Sequence, residues 1–132
     1  MKQVKIIIER ASDGTYSAYG EDVAAYGMGD TIEAAKKEAI DGLKLFMELN
    51  NPENIPSVLK GEYEIVFQMD VQSLLEYYKG VFTNAAFERI TGISQAQISH
   101  YATGLKKPRP VQKEKIKTAL HRLGSELLAI EL

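Results

Sequence analysis

The chain contains no cysteine, and this absence removes two classes of structure. Without thiols there is no disulfide framework and no thiolate metal site, and the composition is compatible with a reducing compartment. Long apolar runs are also missing. The opening residues MKQVKIII hold four apolar residues in the stretch from Val4 to Ile8, interrupted by Lys5, against the roughly 7–15 of a signal-peptide core. No segment approaches the roughly 18 apolar residues of a spanning helix. We therefore expect a soluble, cytoplasmic protein that makes no membrane contact.

Charge is divided unevenly along the 132 residues. Residues 1–70 hold 7 Lys and Arg against 13 Asp and Glu, a net charge of −6, whereas residues 71–132 hold 9 against 5, a net charge of +4. An apolar content of 45% and a charged content of 26% are those of a globular protein. Opposite charge in the two halves indicates two modules with different partners. We predict one domain over residues 1–70 and a second over residues 71–132.

Apolar periodicity in the first domain predicts an α+β arrangement in the order β-β-β-α-β, with one helix packed on one face of a sheet. The predicted strands are Val4–Glu9, Thr15–Gly20, Val23–Tyr26 and Glu62–Asp70. A helix is expected to start near Asp30, because Asp30 and Glu33 have capping-box spacing, and to end at Asn50. Its apolar residues recur at steps of three and four, which places them on one face: Ile32, Ala35, Ala39, Leu43 and Phe46.

The first domain is rich in carboxylates, which raises the question of catalysis. The candidates are Asp13, Glu21, Asp22, Asp30 and Glu33. Paired carboxylates bind Mg²⁺ or act in acid–base chemistry, so a metal-dependent nuclease is one alternative. These residues, however, occupy turn and cap positions, where Asp and Glu have structural roles. The domain also lacks histidine and any glycine-rich phosphate loop. We therefore predict no catalytic residue, no metal site and no cofactor, and expect a protein that is not an enzyme.

The second domain is expected to be all-α. Helices are predicted over Val71–Tyr78, from a cap at Thr83 through Ile90, and over Gln95–Ala102, with Gly92 and Gly104 at the turns. After Pro110, an apolar stripe predicts a final helix or helix pair, which either closes the bundle or reaches a second subunit. Its members are Ile116, Leu120, Leu123, Leu127 and Ile130.

The run T-G-I-S-Q-A-Q-I-S-H-Y-A-T-G-L-K-K-P, Thr91 to Pro108, resembles the turn, recognition helix and following loop of the Cro/phage-repressor (XRE) helix-turn-helix family. In such motifs the start of the recognition helix lies in the major groove. Gln95 is then the best candidate base reader, because glutamine bonds the N6/N7 edge of adenine. By matching position, Ala96 would face a thymine methyl group and His100 would reach bases or phosphate. Ser94 would cap the helix, and Gln97 and Ser99 would touch the DNA backbone.

Further phosphate contacts are expected on both sides of this helix. Thr83 and Asn84 begin the preceding helix, where free N–H groups favour an anion. Lys106, Lys107 and Arg109 would supply attraction that is independent of sequence and sensitive to salt. One departure from the family stands at Glu88, where a small alanine is usual. Either the crossing of the two helices is altered, or Glu88 turns outward. The alternative to DNA binding is a helical bundle with Gln95, Gln97 and His100 as ordinary surface residues.

Taken as a pair, the two domains resemble the HicB family of type II antitoxins, whose N-terminal domain is a partial ribonuclease-H-like fold. D-G-T-Y-S-A-Y-G-E-D, Asp13 to Asp22, is similar to that family's first hairpin, and G-D-T-I-E-A-A, Gly29 to Ala35, to its entry into the helix. The family's frequent Pro-Gly-Cys element is replaced by Tyr26-Gly27-Met28.

This resemblance implies three properties. The acidic domain would bind and neutralise a small basic, HicA-like toxin that cleaves mRNA, the basic domain would repress its own operon as a homodimer or higher homo-oligomer, and the ribonuclease-H-like domain would be inert. A second hypothesis is a stand-alone transcriptional repressor whose N-terminal domain binds a small ligand. The metal-dependent nuclease is the third.

Overall fold

The computed structural model describes residues 1–132. The chain is a mixed α/β protein with one four-stranded sheet and five α-helices, so the prediction that it combines sheet and helix is confirmed. It divides into two compact units, Met1–Asp70 and Val71–Leu132, which are described separately below. None of its helices has both the length and the apolar character needed to cross a membrane.

The first unit, Met1–Asp70, contains the sheet and one long helix. Its strands are β1 (Lys2–Arg10), β2 (Tyr16–Gly20), β3 (Tyr26–Gly29) and β4 (Tyr63–Met69), and its helix is α1 (Ile32–Leu49). The strand order is β3-β2-β1-β4. The pairs β1–β2 and β2–β3 are antiparallel, whereas β4 lies parallel to β1. Short 3₁₀ turns at Pro52–Asn54 and Ser57–Leu59 occupy the connection from α1 to β4.

One face of this sheet packs on α1. The strand residues Val4, Ile6 and Ile8 are buried, and the register sets Val4 beside Ile65 and Ile6 beside Phe67 on the same face. Four members of the predicted apolar stripe on α1 are buried against them: Ile32, Ala35, Ala39 and Leu43. Burial of apolar side chains from both layers is the main source of stability of such a unit.

The third strand lies three residues later than the sequence predicts. Val23–Tyr26 was expected to form it, with the following glycines as its end, but β3 runs over Tyr26–Gly29 and includes both glycines. Close packing on α1 explains the difference. A Cβ atom on Gly27 would lie 2.4 Å from the carbonyl oxygen of Ala35, so only glycine lets β3 approach the helix this closely.

The start of α1 also differs from the prediction. Thr31, and not Asp30, is the N-cap, and its Oγ1 accepts the N–H of Ala34 at 3.0 Å. Threonine and aspartate both satisfy an early N–H of a helix. The N-cap is therefore the residue whose backbone is extended just before the helix. Here that residue is Thr31, with φ −128° and ψ 159°.

The second unit, Val71–Leu132, is all helical. It contains α2 (Val71–Tyr77), α3 (Asn84–Thr91), α4 (Gln95–Thr103) and α5 (Pro110–Leu128), with a 3₁₀ turn at Tyr78–Gly80. Residues from all four helices and from the α3–α4 turn form one core: Leu75, Phe87, Ile93, Ile98, Tyr101 and Ile116. The stretch after Pro110 is one helix and not a pair, with Pro110 in its first turn, where a missing N–H costs nothing.

Candidate nucleic-acid interface

The turn between α3 and α4 is held by hydrogen bonds and by one buried side chain, which fix the orientation of the two helices. Gly92 adopts φ +78°, and its N–H donates to the carbonyl of Glu88 at 2.8 Å. Thr91 bonds on both sides of the turn, because its Oγ1 donates to the carbonyl of Phe87 at 2.5 Å and accepts the N–H of Ile93 at 3.1 Å. Ile93 is buried in the core. The positive φ is the left-handed conformation that glycine adopts without a steric penalty.

The N-terminus of α3 is open to solvent. Thr83 caps it, with Oγ1 accepting the N–H of Ala86 at 3.0 Å. Thr83, Asn84 and Ala85 are all exposed. The first N–H groups of a helix, here those of Asn84 and Ala85, have no carbonyl partner within the helix. Together with the positive end of the helix dipole they form a place where an anion is stabilised.

The N-terminus of α4 is already satisfied by two side chains. Ser94 caps it, with Oγ accepting the N–H of Gln97 at 3.3 Å. Glu88 reaches from α3 and accepts the N–H of Gln95 through Oε2 at 2.9 Å. Glu88 is half-buried, so it does not turn freely outward, and it places a negative charge at this helix end. A phosphate is therefore disfavoured at the N-terminus of α4, and this helix offers side chains rather than N–H groups to a ligand.

The outer face of α4 carries the residues that the sequence singled out. Gln95 and Ala96 are exposed, whereas Gln97, Ser99 and His100 are half-buried. On the inner face Ile98 and Tyr101 are buried, and Gln97 donates its Nε2 to the Tyr101 hydroxyl at 3.0 Å. That bond keeps the Gln97 amide close to the helix surface. Gln95 and Ala96 are thus the pair whose side chains are free to meet a ligand.

His100 is not a fully exposed surface histidine. Its Nδ1 is buried and has no hydrogen-bond partner within the chain, although the residue as a whole is half-buried. Its carbonyl accepts the N–H of Lys106 at 3.2 Å, which ties the end of α4 to the segment that follows. His100 thus helps to anchor this segment through its backbone.

The basic loop, residues 104–109, follows α4. Its cations Lys106, Lys107 and Arg109 are exposed, and none of them forms a salt bridge within the chain. Gly104 begins the loop at φ +81°, and a Cβ atom there would lie 2.9 Å from the side-chain amide of Gln72, so α4 ends in close contact with α2. Unpaired cations beside α4 give this side of the unit a positive surface that attracts polyanions.

In the first unit the carboxylates are dispersed. Asp13 accepts both the hydroxyl and the N–H of Thr15, at 2.6 and 2.9 Å, and these bonds lower the pKa of Asp13 below its usual value. Glu21 lies 3.8 Å from the Lys5 ammonium group. Nowhere in residues 1–132 do three or more His, Asp or Glu side chains lie close enough to share a metal ion. No three of the candidate carboxylates are therefore brought together into one metal site.

No protein-family model, curated protein or solved structure matches the chain.

Sequence reasoning missed the residues that hold the α3–α4 pair in place. Glu88 was noted only as a departure from a family pattern, and its bond to the Gln95 N–H was not foreseen. The bonds of the Thr91 hydroxyl on both sides of the turn, and the bond from Gln97 to the Tyr101 hydroxyl, were not foreseen either. The one available signal was the position of Glu88 on the helix before the Ser94 cap, since a carboxylate is stabilised at a helix N-terminus.

Proposed function

We propose that Val71–Leu132 is a helix-turn-helix domain that binds double-stranded DNA, with α4 as its recognition helix, and that the whole chain is a HicB-type antitoxin repressing its own operon. One observation carries the DNA-binding part. Gln95 and Ala96 project from a helix held in place by the Gly92 turn, beside a basic loop whose cations have no partner in the chain. A base-reading helix next to free cations is what major-groove recognition requires.

Each side chain then has a chemical role. Gln95 forms a bidentate pair with the N6/N7 edge of adenine, and Ala96 contacts a thymine methyl group. Ser99 and His100 lie on the same helix and reach the neighbouring sugar-phosphate backbone. The open N-terminus of α3, at Thr83 and Asn84, receives a phosphate from that strand. The caps at Ser94 and Glu88 leave α4 itself to read bases.

The basic loop adds the part of the affinity that does not depend on sequence. Lys106, Lys107 and Arg109 follow the phosphate backbone and release counterions when they bind. Since these cations are exposed and unpaired, no ion pair within the protein has to break first. The affinity for all DNA should therefore fall steeply as salt is raised.

The experiment that tests DNA binding compares two variants against the operator. Gln95→Ala should weaken operator binding by about 1–3 kcal/mol and relax the preference at one base position. Lys107→Ala, the matched control, should weaken binding to every sequence alike and flatten the salt slope by about one. Titrations at several salt concentrations, with operator and scrambled DNA, measure both effects. Equal, sequence-independent losses for the two variants would show that Gln95 does not read a base.

The antitoxin part of the proposal concerns the first unit. Its net charge of −6 suits a small basic protein, since an acidic surface can cover a cationic RNA-binding face. In a pull-down of the tagged chain from its native lysate at low salt, a small basic protein should co-purify in stoichiometric amount. High salt should release it. Such a toxin should regain its mRNA cleavage when the complex is dissociated. Retained DNA with no protein partner would leave a plain repressor instead.

A small-ligand repressor has less support in the first unit. Ligand sites are commonly concave, mostly apolar and roughly 300–1,000 Å³ in volume. The groove beside β1 measures about 260 Å³, and its lining includes Lys5, Glu21 and Asp22. That groove is small and partly charged, so it does not suit an apolar effector.

A homodimer completes the proposal. Repressors of this type read two half-sites one helical turn apart, so two copies of α4 must be joined by a two-fold axis. The dimer is measured independently of DNA, by sedimentation of the full chain over a range of concentrations.

A further inference from the structure

The last helix carries apolar side chains beyond the core on which it packs. Ile116 is 1% exposed and Leu120 packs against the core of the second unit, but Leu127 is 55% exposed and Leu128 90%. Ile130, just after the helix, is 57% exposed. We call residues 126–132 the apolar tail. Several large apolar side chains exposed in one short segment mark an interaction surface rather than ordinary scattered exposure.

A groove of about 470 Å³ lies between the end of α3 and the outer flank of α5. Apolar side chains from both helices line it, Ile90 from α3 and Val111 and Ala119 from α5. Its charged lining residues are Lys115, Arg122 and Glu114, two cations against one anion. Val111 is largely exposed, so the groove has apolar surface that nothing in the chain covers. It is therefore suited to an apolar segment that carries negative charge.

The apolar tail has this chemistry. Residues 106–122 hold seven Lys and Arg against one Glu, whereas residues 123–132 hold two Glu, Glu126 and Glu131, and no Lys or Arg. Basic and acidic stretches thus follow each other along α5 and the tail. When two such helices run antiparallel, the acidic end of each meets the basic body of the other.

The tail cannot fill the far end of the groove of its own chain. Leu127 and Val111 belong to the same helix, and a separation of 16 residues along a helix corresponds to about 24 Å. Another molecule must therefore cover the part of the groove around Val111. A second copy of this chain supplies an apolar tail, acidic charge and a groove of its own, which are the requirements of a self-complementary two-fold interface.

We propose that two copies of this chain exchange apolar tails, each tail lying in the α3–α5 groove of the other copy. Leu127 and Ile130 meet the apolar side chains Ile90 and Val111, and Glu126 and Glu131 lie near the cations of the groove. This proposal specifies the interface of the homodimer that forms part of the proposed function, and it rests on that homodimer alone. It is tested without DNA, so its failure is distinct from a failure of operator binding.

The first experiment is sedimentation of the full chain at concentrations from about 1 to 100 μM, in the range where protein dimers of ordinary affinity dissociate. The wild type should be a dimer at the upper end. Leu127→Asp with Ile130→Asp should raise the dimer dissociation constant at least about tenfold, since each change places a charge in an apolar contact. Val81→Asp is the matched control, because Val81 is 70% exposed but lies outside both groove and tail. Circular dichroism checks that all variants remain folded.

The second experiment locates the contact and uses the absence of cysteine in the wild type. A chain with Ala129→Cys is mixed with a chain with Thr118→Cys under mild oxidation, and the mixed disulfide is expected to form faster than either homodimer. Thr118 lies in the groove and Ala129 in the tail. Dominant tail-to-tail or groove-to-groove disulfides would overturn the exchange. A wild type that stays monomeric at about 100 μM, or a dimer that is unaffected by the Asp pair, would overturn it as well.

Discussion

The hydrogen bond from the Gln95 N–H to Glu88 should stabilise the second unit measurably. Two changes test it, Glu88→Ala, which removes the acceptor, and Glu88→Gln, which keeps an oxygen acceptor but removes the charge. Loss of a side chain that caps a helix costs about 0.5–2 kcal/mol, and a carboxylate at a helix N-terminus contributes about 0.3–1 kcal/mol. Because Glu88 is only half-buried, solvent screens part of the interaction between its carboxylate and the helix end.

For Glu88→Ala we therefore expect a loss of about 1 kcal/mol in the free energy of unfolding, and for Glu88→Gln about half of that. In a unit of this size about 1 kcal/mol lowers the melting temperature by roughly 4–8 °C. Urea denaturation followed by circular dichroism measures the free energy. Hydrogen exchange at the Gln95 amide measures the bond itself, and protection should decrease in the alanine variant and remain in the glutamine variant.

The control is Glu76→Ala, which removes a half-buried glutamate from the next-to-last position of α2. It should change stability by less than about 0.5 kcal/mol. The reasoning is refuted if Glu88→Ala and Glu76→Ala unfold alike and the Gln95 amide exchanges at the wild-type rate in every variant. A loss in Glu88→Ala with unchanged exchange at Gln95 would place the stabilisation elsewhere on α3.

Two further predictions concern the first unit. Gly27→Ala should lower the free energy of unfolding by about 1–3 kcal/mol in denaturant titration, because its Cβ atom would meet the backbone of α1 at 2.4 Å; a neutral result would mean that β3 can move away. Asp13→Asn should reduce the loss of stability in acid. The bonds from Thr15 hold the Asp13 pKa below its ordinary value of 3.8, so they stabilise the chain above that pH, and this stabilisation is lost as pH falls below it. As pH is lowered through 3.8, the melting temperatures of the variant and the wild type should converge. A difference in melting temperature that stays constant with pH would contradict this prediction.

Periodicity made the apolar face of α1 predictable, because Ile32, Ala35, Ala39 and Leu43 pack on a single neighbouring layer. Glycine made two turns of the second unit predictable, since Gly92 and Gly104 both adopt the left-handed conformation at helix ends. In both cases the signal is local, so a short stretch of sequence is enough to read it.

The errors arise where a distant contact decides the local structure. β3 was misplaced because a strand rich in glycine has low intrinsic propensity, and only its contact with α1 makes Gly27 favourable there. The acceptor of the Gln95 N–H was missed because Glu88 belongs to a different helix. The candidate residues Gln95, Ala96 and the loop cations lie on the surface, where no packing constraint reveals which of them binds a ligand.

The parallel pairing of β1 with β4 has a consequence for the order in which the chain can fold. It joins Lys2 to Tyr63, so the central strand of the sheet waits for a partner made about 60 residues later. The helices of the second unit contact neighbours that are close in sequence, and such contacts form quickly. We expect the second unit to reach its structure within microseconds to milliseconds of release, and the sheet to close more slowly. During synthesis β1 emerges first and remains without its parallel neighbour until β4 has left the ribosome, an interval of several seconds at about 5–20 residues per second.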